Sequence, residues 1–549
     1  MPAPLPTPYS SLPTVPDEPA SDVASLALRL GALVERLFGP PDPGAPGRLW
    51  PRWIVLRALG LILFSAFYSL AFQIKGLIGE RGILPAESYL YEVARAAPGL
   101  EHVWLAPTLF WASAGDAALT AVVAAGLVCS VLLTLNLWPR LTVALCTLLF
   151  MSCVGALQDF SSYQSDGMLL EAGFISIFFA PRGIRPGLGA DDPPSRASWF
   201  LLAWEWFRIY FESGVVKLLS GDPHWRDLTA MDEYYENGPL PTWLGWYVQQ
   251  FPHWYHAATA LLTLVVELVV VWALFLPRRF RIACFLVVTP LQIGIIATAN
   301  YAFLNYLVLV LGVLLLDDRA LARVGLRTPA APATGTAMGA ATGAATRMVA
   351  ARPYSPWRLW TAAVALAWVF CATITPAIPG TPRLLTLPAR ALAPLRIANS
   401  YGLFAVMTEA RYEIEFQGSR DGRTWLVYPF RYKPQDPRAA PGIYAPYQPR
   451  FEWNLWFASL GPWRESPWVV LAQARLLENS PSVLALFKRN PFPDAPPTQV
   501  RTVLWQYWFT DRATRRATGQ WWRRREVGPF SGVLVRGADG KPILAGSPP

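Results

Sequence analysis

The chain has little charge and few of the residue types that hold metals. Only 15% of its 549 residues are Asp, Glu, Lys or Arg, and it contains four histidines and five cysteines. All five cysteines lie inside apolar runs: Cys129, Cys146, Cys153, Cys284 and Cys371. This placement excludes a disulfide framework in the C-terminal region, a CxxC redox motif and the ligand spacing of a zinc site.

Catalytic sequence motifs are lacking as well. The chain contains no nucleophile elbow, no glycine-rich loop of the kind that cradles phosphates and no metalloprotease motif. These absences argue against a standard hydrolase or kinase. We therefore expect a protein that is not an enzyme and that carries neither a cofactor nor a metal ion.

The N-terminal region, residues 1–47, is rich in proline and is expected to be disordered. Its first 19 residues have no apolar core, so we do not expect a signal peptide, and the first membrane span would serve as an uncleaved insertion signal. The net charge of +10 does not indicate a nucleic-acid partner. Many arginines sit in short loops between apolar runs, whereas a nucleic-acid protein concentrates them on one soluble face.

Apolar sequence is abundant, at 53% of all residues, and several runs approach the ~20 residues that a helix needs to cross a bilayer. We predict an α-helical polytopic membrane bundle with about seven to nine transmembrane helices. The candidate spans are 53–74, 117–138, 141–157, 168–180, 199–219, 256–276, 282–298, 301–316 and 360–375. The bundle would occupy residues 48–327, and the last helix residues 358–377.

The arginines predict the orientation of the bundle. Basic residues fall in alternate loops, at Arg48 and Arg52, Arg140, Arg182 to Arg196, Arg278 to Arg281, and Arg319 to Arg327. Because basic loops face the cytoplasm in most membrane proteins, nine crossings would place the C-terminal region on the exoplasmic side.

The chain changes character after the predicted spans. Residues 328–357 are mostly Ala, Thr, Gly and Pro and indicate a flexible linker. Beyond it, residues 412–416 and 502–509 alternate between apolar and polar types as half-buried strands do. We predict a C-terminal β-rich, β-sandwich-like exoplasmic domain over residues 396–545.

Ionisable residues inside apolar runs are candidates for a binding site, because an unpaired charge at membrane depth is costly. Tyr163, Gln164, Asp166 and Glu171 open one such run. The two acids either serve a functional site or form structural ion pairs with a neighbouring helix, through Arg208 or Lys217.

A second group follows in the next helix. Glu205, Arg208 and Glu212 recur at spacings of three and four residues, which places them on one helix face that must look into the bundle. Lys217 is either a buried base or a lysine that snorkels to the membrane boundary. If the protein were an enzyme, Lys217, Asp166 and Glu171 would be its catalytic candidates.

A third group combines acids, a histidine and aromatic residues in the loop that follows. Its members are Asp222, His224, Trp225, Arg226 and Asp227. No second histidine lies close by, so a metal site is not expected. In the C-terminal region, Trp453, Trp456 and Phe457 are candidates to bind a client protein, although most aromatics there would serve the core.

Four stretches together resemble the lipase maturation factor family. They are YQSDGMLLEAGF from Tyr163, SGVVKLLSGDPHWRDLT from Ser213, NSYGLFAVM from Asn399, and YQPRFEWNLWFA from Tyr447 with Asn490-Pro491-Phe492. The resemblance implies a membrane protein that helps secreted lipases fold or assemble. Animal members act in the endoplasmic reticulum. The Arg- and Ala-rich composition indicates a bacterial source instead, and then the plasma membrane.

A second, shorter resemblance favours an enzyme. Ser213 to Leu218 is similar to the stretch that holds the active-site lysine of the vitamin K-dependent γ-carboxylase, and Lys217 matches that lysine. This resemblance implies a membrane enzyme that uses Lys217 as a base on a quinol-like or lipid substrate. An assembly factor predicts that Lys217→Ala is tolerated and that removing residues 396–549 abolishes function, whereas an enzyme predicts the reverse.

Overall fold

The computed structural model describes residues 19–39, 47–161, 163–328, 356–375, 382–537 and 541–545. Most of the predicted linker and much of the N-terminal region lie outside the described residues. In chain order, the first helices are α1 (Pro19–Phe38), α2 (Leu49–Ile78), α3 (Ala86–Ala96), α4 (Glu101–Leu105), α5 (Asp116–Thr134), α6 (Pro139–Ala156), α7 (Gln164–Phe179) and α8 (Arg196–Leu219).

The remaining helices of the membrane part follow, with three short ones in the loop after α8. They are α9 (Pro223–Arg226), α10 (Tyr234–Asn237), α11 (Trp243–Gln249), α12 (His253–Leu268), α13 (Arg278–Thr298), α14 (Leu304–Gly312), α15 (Asp318–Ala322) and α16 (Pro356–Ile374). A 3₁₀ turn extends α12 to Phe275.

Within the described residues, six helices are long and apolar enough to cross a membrane. They are α2, α5, α6, α12 with its 3₁₀ extension, α13 and α16. The other three predicted spans also fall on helices, but α7 has 16 residues and reaches only about 24 Å, α14 is shorter still, and α8 carries several charges. The bundle is therefore confirmed, while its predicted number of crossings is not.

The C-terminal part combines helices with one sheet. Its helices are α17 (Leu387–Leu392), α18 (Arg450–Ala458), α19 (Trp468–Leu477), α20 (Pro481–Leu484) and α21 (Arg512–Thr518). Its strands are β1 (Arg411–Ser419), β2 (Leu426–Val427), β3 (Gln499–Phe509), β4 (Trp522–Arg536) and β5 (Pro542–Ala545). All neighbouring strands are antiparallel, in the order β2-β1-β3-β4-β5.

The predicted β-sandwich is not confirmed, because the described residues contain one five-stranded sheet. Helix α19 packs against this sheet, where a second sheet would lie in a sandwich. Its Gln473 donates to the backbone of Val500 and accepts from Ser531 Oγ at 2.7 Å, so the helix is bonded to β3 and β4. The alternation of apolar and polar residues correctly predicted a β-rich C-terminal domain. Its second layer, however, is a helix and not a sheet.

The C-terminal part packs directly on the membrane part. Arg475 in α19 donates to the carbonyl of Gly82 at 2.9 Å, and Ser480 donates to the carbonyl of Arg81 at 2.8 Å. On another side, Asn300 accepts from the backbone N–H groups of Tyr444 and Ala445 at 2.6 and 3.0 Å. The loops that follow α2 and α13 therefore hold the sheet domain against the bundle.

Candidate functional site

Residues 399–408, called the docking segment below, lie between the two parts of the molecule without helix or strand. Backbone groups in such a segment need hydrogen-bond partners from elsewhere when water is excluded. The sequence stretches that begin at Tyr163 and Ser213 supply most of these partners, and Glu212 and Asn237 supply two more. Three of the four stretches singled out in the sequence thus meet at one place.

Side chains of α7 and α8 accept hydrogen bonds from successive N–H groups of the docking segment. Glu212 accepts from the N–H of Tyr401 at 2.6 Å, and Gln164 from that of Gly402 at 3.0 Å. Ser213 Oγ accepts from the N–H of Leu403 at 3.1 Å. The acceptors come from two different helices, so the segment ties them together.

The loop after α8 holds the second half of the docking segment. Ser220 donates to the carbonyl of Ala405 at 2.8 Å, and Trp225 Nε1 donates to that of Phe404 at 3.0 Å. Asp222 accepts from the N–H of Met407 at 2.6 Å and also caps α9. In α10, Asn237 donates to the carbonyl of Thr408 at 2.7 Å.

Glu171 and Arg208 form a buried ion pair beneath the docking segment. The other carboxylate oxygen of Glu171 accepts from the N–H of Asn399 at 2.9 Å and from the hydroxyl of Tyr401 at 2.9 Å. Arg208 also donates to the carbonyl of Asn399. Glu205, one turn earlier in α8, is fully buried beside Glu171 and Tyr401. The sequence left open whether Glu171 serves a functional site or forms a structural ion pair. In the structure it forms the ion pair, with Arg208.

Lys217 is buried and does not snorkel to the boundary. Its ammonium donates to both carboxylate oxygens of Glu267 at 2.9 Å and to the carbonyl of Leu403 at 3.1 Å. An ammonium has three donors, and these contacts use all of them. No lone pair is available for proton abstraction in this arrangement. The snorkelling interpretation is wrong, because Lys217 is buried inside the bundle and the carboxylate of Glu267 in α12 balances its charge there.

Asp166 pairs with Arg450 across the interface between the two parts. Both oxygens of Asp166 accept from Arg450 at 2.8 Å, and both side chains are fully buried. Arg450 also donates to the carbonyl of Phe160 at 2.8 Å. The ring of Tyr163 lies 6.0 Å from that of Trp453 and 5.8 Å from that of Phe457. The fourth sequence stretch therefore docks onto the first.

The remaining predicted binding residues lie at the edge of this arrangement. His224 Nδ1 lies 2.6 Å from Asp222, and this hydrogen bond raises the pKa of His224. Arg226 and Asp227 are exposed, and Arg226 donates to the carbonyl of Leu218 at 2.8 Å. In the part of the chain that the structure describes, no three His, Cys, Asp or Glu side chains are grouped so as to hold a metal ion.

The client-binding candidates separate into two kinds. Trp453 and Trp456 are each only 8% exposed, and Trp456 donates to the carbonyl of Asn237 at 3.0 Å. Their aromatic rings lie in the interface between the two parts, where burial keeps both away from a client protein. Phe457 is 46% exposed, and so is Leu460 one turn later.

Sequence reasoning missed several residues that complete the site. Glu267 is the one acid in a long apolar run, which is a usable signal for an ion pair at membrane depth. Arg450 and Asn399 carried no such signal, because neither lies inside a long apolar run. Their partners lie 284 and 228 residues away in the chain, respectively.

Comparisons with known proteins agree with this architecture. The family description "Lipase maturation factor transmembrane domain" matches residues 50–323, and "Lipase maturation factor C-terminal domain" matches residues 397–532. Lipase maturation factor 1 of Bos taurus is 32% identical over 91% of this chain and 94% of its own length. Lipase maturation factor 2 of Homo sapiens is 31% identical over 88% and 82%. No solved structure matches.

The fold and the site define a multi-pass membrane protein whose β-rich C-terminal part is bonded to its helical bundle through buried ion pairs. Two family domains match in order across most of the chain. The chain belongs to the lipase maturation factor family.

Two sequence expectations gain no support. The relatives named above are animal proteins, so the expectation of a bacterial source is not supported. The comparisons likewise do not support the carboxylase resemblance. The bonds of Lys217 agree with this outcome, because they satisfy the lysine as an ion-pair partner of Glu267.

Proposed function

We propose that the protein is a membrane-bound assembly factor that assists the folding or assembly of secreted lipases. The observation that carries this proposal is the match of both family domains, in order, to relatives named lipase maturation factors. Its partners are the bilayer and a secreted, lipase-like client. The proposal needs no catalytic group and no cofactor.

We propose nine membrane crossings, with the C-terminal part on the exoplasmic side. Supporting this topology, helices α7, α8 and α14 lie at the three predicted spans that are short or charged. Arg208 and Lys217 of α8 form ion pairs with Glu171 and Glu267, so these charges need not face lipid. The animal relatives favour the endoplasmic reticulum membrane, with the C-terminal part in the lumen.

We propose two roles for the predicted site residues. Those that bind the docking segment or Arg450 position the C-terminal part on the bundle. Phe457 and Leu460 form an exposed apolar edge beside this interface and contact the client. Large apolar side chains that remain exposed on a water-facing domain often mark interaction sites.

The experiment is lipase secretion from cells that lack their own maturation factors. The intact chain is expected to restore secretion of active lipase and to be crosslinked to it. Phe457→Asp with Leu460→Asp should reduce both readouts severalfold while leaving the thermal midpoint of the purified protein unchanged. Leu471→Asp is the matched control, because Leu471 is also exposed on a helix of the C-terminal part but in α19.

Failure of the intact chain to restore secretion of any lipase would contradict the assembly-factor function. Restored secretion with an unaffected double variant would contradict only the client surface. Lys217→Ala is not a useful discriminator between assembly factor and enzyme. It leaves the buried carboxylate of Glu267 without its cation, so loss of function would follow from misfolding.

A further inference from the structure

A cavity lies between α1, α8 and α16, at the end of the bundle that carries basic loops. Its volume is about 710 Å³, within the range of roughly 300–1,000 Å³ typical of small-molecule sites. Its walls are largely apolar and include Phe38, Trp199, Phe200, Leu366 and Phe370. Leu37 and Ala367 line it and are exposed, so the cavity opens on the protein surface.

Arg48 brings a positive charge to this apolar cavity. Its guanidinium stacks on the ring of Trp199, with Cζ 3.1 Å from the ring centroid. One terminal nitrogen of Arg48 is buried and has no hydrogen-bond partner among the described residues. A charged donor without an acceptor is unfavourable. Arg48 as a whole is half-buried and lines the cavity, so an anionic oxygen in the cavity would complete the hydrogen bonds of its guanidinium.

The two carboxylates nearest to this charge are already engaged. Both oxygens of Asp318 accept from the backbone N–H groups of Leu49 and Trp50, at 3.1 and 2.8 Å. Asp317 accepts from Arg278, with one distance of 3.0 Å. Neither acid makes an ion pair with Arg48 in the described part of the chain. No acceptor for this guanidinium nitrogen is present among the described residues.

Helix α1 places the cavity at a membrane surface. Leu30, Leu33 and Leu37 recur at spacings of three and four residues and are all exposed. An apolar stripe that faces outward on a surface helix is typical of helices that lie in the bilayer interface. A lipid of the bilayer can therefore reach the rim formed by Leu37 and Ala367.

We propose that this cavity binds a phospholipid of the surrounding bilayer. The phosphate accepts hydrogen bonds from Arg48, and one acyl chain lies against Trp199, Phe200 and Phe370. An arginine suits this task because its planar fork donates to two phosphate oxygens at once. The apolar wall suits an acyl chain, and the guanidinium of Arg48 suits an anionic headgroup.

The test uses the full chain, purified in mild detergent and depleted of lipid. Phosphatidylglycerol is added, and the thermal midpoint is followed by tryptophan fluorescence. We expect saturable stabilisation by phosphatidylglycerol, much weaker stabilisation by diacylglycerol with the same chains, and none by inorganic phosphate. Arg48→Gln should weaken the apparent affinity about tenfold or more, since it removes charge-assisted hydrogen bonds.

Two further variants separate the headgroup from the cavity. Ala367→Trp fills the rim from an exposed position and should abolish the stabilisation. Arg358→Gln removes an exposed arginine from the start of the same helix and should respond as the wild type does. Because Ala367 is exposed, its replacement tests the site even if Arg48→Gln fails to fold.

Several results would overturn the proposal. An unchanged lipid response in Arg48→Gln or in Ala367→Trp would do so, as would equal responses to phosphatidylglycerol and diacylglycerol. Stabilisation by inorganic phosphate alone would indicate a simple anion site. Native mass spectrometry offers an independent check, because freshly purified wild type should retain phospholipid that Ala367→Trp lacks. Crosslinks that place another segment of the chain in the cavity would contradict it as well.

Discussion

Asp166 and Arg450 show at the residue scale why the charges of this protein are tolerated in an apolar interior. The two side chains are fully buried and make two parallel hydrogen bonds of 2.8 Å. A guanidinium and a carboxylate in this geometry satisfy each other, whereas either one alone would remain a buried unpaired charge. Glu171 with Arg208 and Lys217 with Glu267 are two further buried ion pairs.

Replacing only one residue of the Asp166–Arg450 pair should destabilise the protein strongly, because the other charge stays buried without a partner. We expect Asp166→Leu or Arg450→Met alone to reduce the free energy of unfolding by about 3–5 kcal/mol. The double variant should lose clearly less than the sum of the two. The measurement is a double-mutant cycle on the detergent-solubilised protein. The exposed pair Glu92–Arg95 is the control and should show about 0.5 kcal/mol or less.

A second prediction at this scale concerns pH. The hydrogen bond to Asp222 and the charges of Glu409 and Glu233 raise the pKa of His224 above its usual 6.5. A folded-state pKa above the unfolded one means that protonated His224 stabilises the fold. This contribution is complete below pH 6.5 and is lost as the pH rises through the folded-state pKa.

The wild type should therefore exceed His224→Gln in thermal midpoint at pH 6, and the difference should shrink by pH 8.5. His253→Gln is a suitable comparison, because His253 is more exposed and also lies beside an aspartate, Asp232. A difference between wild type and His224→Gln that stays constant across this pH range would contradict the role of protonation.

At the scale of elements, the docking segment has no secondary structure of its own and depends on side chains of its neighbours. Glu212, Ser213 and Gln164 accept from three successive N–H groups. In a helix or strand the backbone would provide these acceptors. We therefore expect the segment to open more readily when a single acceptor is removed, without unfolding of α7 or α8.

Glu212→Ala should show this opening directly. We expect the amides of the docking segment to exchange with deuterium at least about tenfold faster, because a charge-assisted acceptor is lost. The amides of α2 and α6 should be unaffected. Asp227→Ala is the matched control, since Asp227 is an exposed acid in the loop after α8. Equal exchange in both variants would show that Glu212 does not hold the segment.

At the scale of the whole molecule, the C-terminal part acts as a structural component of the bundle. Asp166, Glu171, Glu212 and Lys217 all have partners at or beyond residue 399 or in α12. The sequence predicts a separate C-terminal domain, and on that basis removal of residues 396–549 is a test of function alone. We expect the same removal to cause a folding defect, because Asp166 loses its cation Arg450. Glu171, Glu212 and Lys217 lose their hydrogen bonds to the docking segment.

We therefore expect the chain truncated after residue 395 to be aggregated or much less stable than the intact protein. Size-exclusion chromatography in detergent and the thermal midpoint measure this outcome. A truncation after residue 408 keeps the docking segment and should recover part of the stability, since Glu171, Glu212 and Lys217 regain their hydrogen bonds to it. A truncated bundle that is monodisperse with the wild-type midpoint would contradict the structural role.

The sequence by itself determined that the chain forms a multi-pass helical bundle, which loops are basic and that the C-terminal part is β-rich. These are local properties, because transfer of ~20 residues into lipid and alternation along a strand depend on neighbours in the chain. The sequence also indicated Asp166, Glu171, Arg208 and Lys217, because charges at membrane depth are costly unless they are paired or serve a function.

Only the tertiary structure decided which charges pair and what they hold. Asp166 and Arg450 are 284 residues apart, and Lys217 and Glu267 lie in different helices. Spacing along the chain carries no information about such partners, because they meet only when helices pack and the docking segment closes over them. The same packing buried Trp453 and Trp456 and replaced the second sheet of a sandwich with α19, since burial is a property of the assembled molecule.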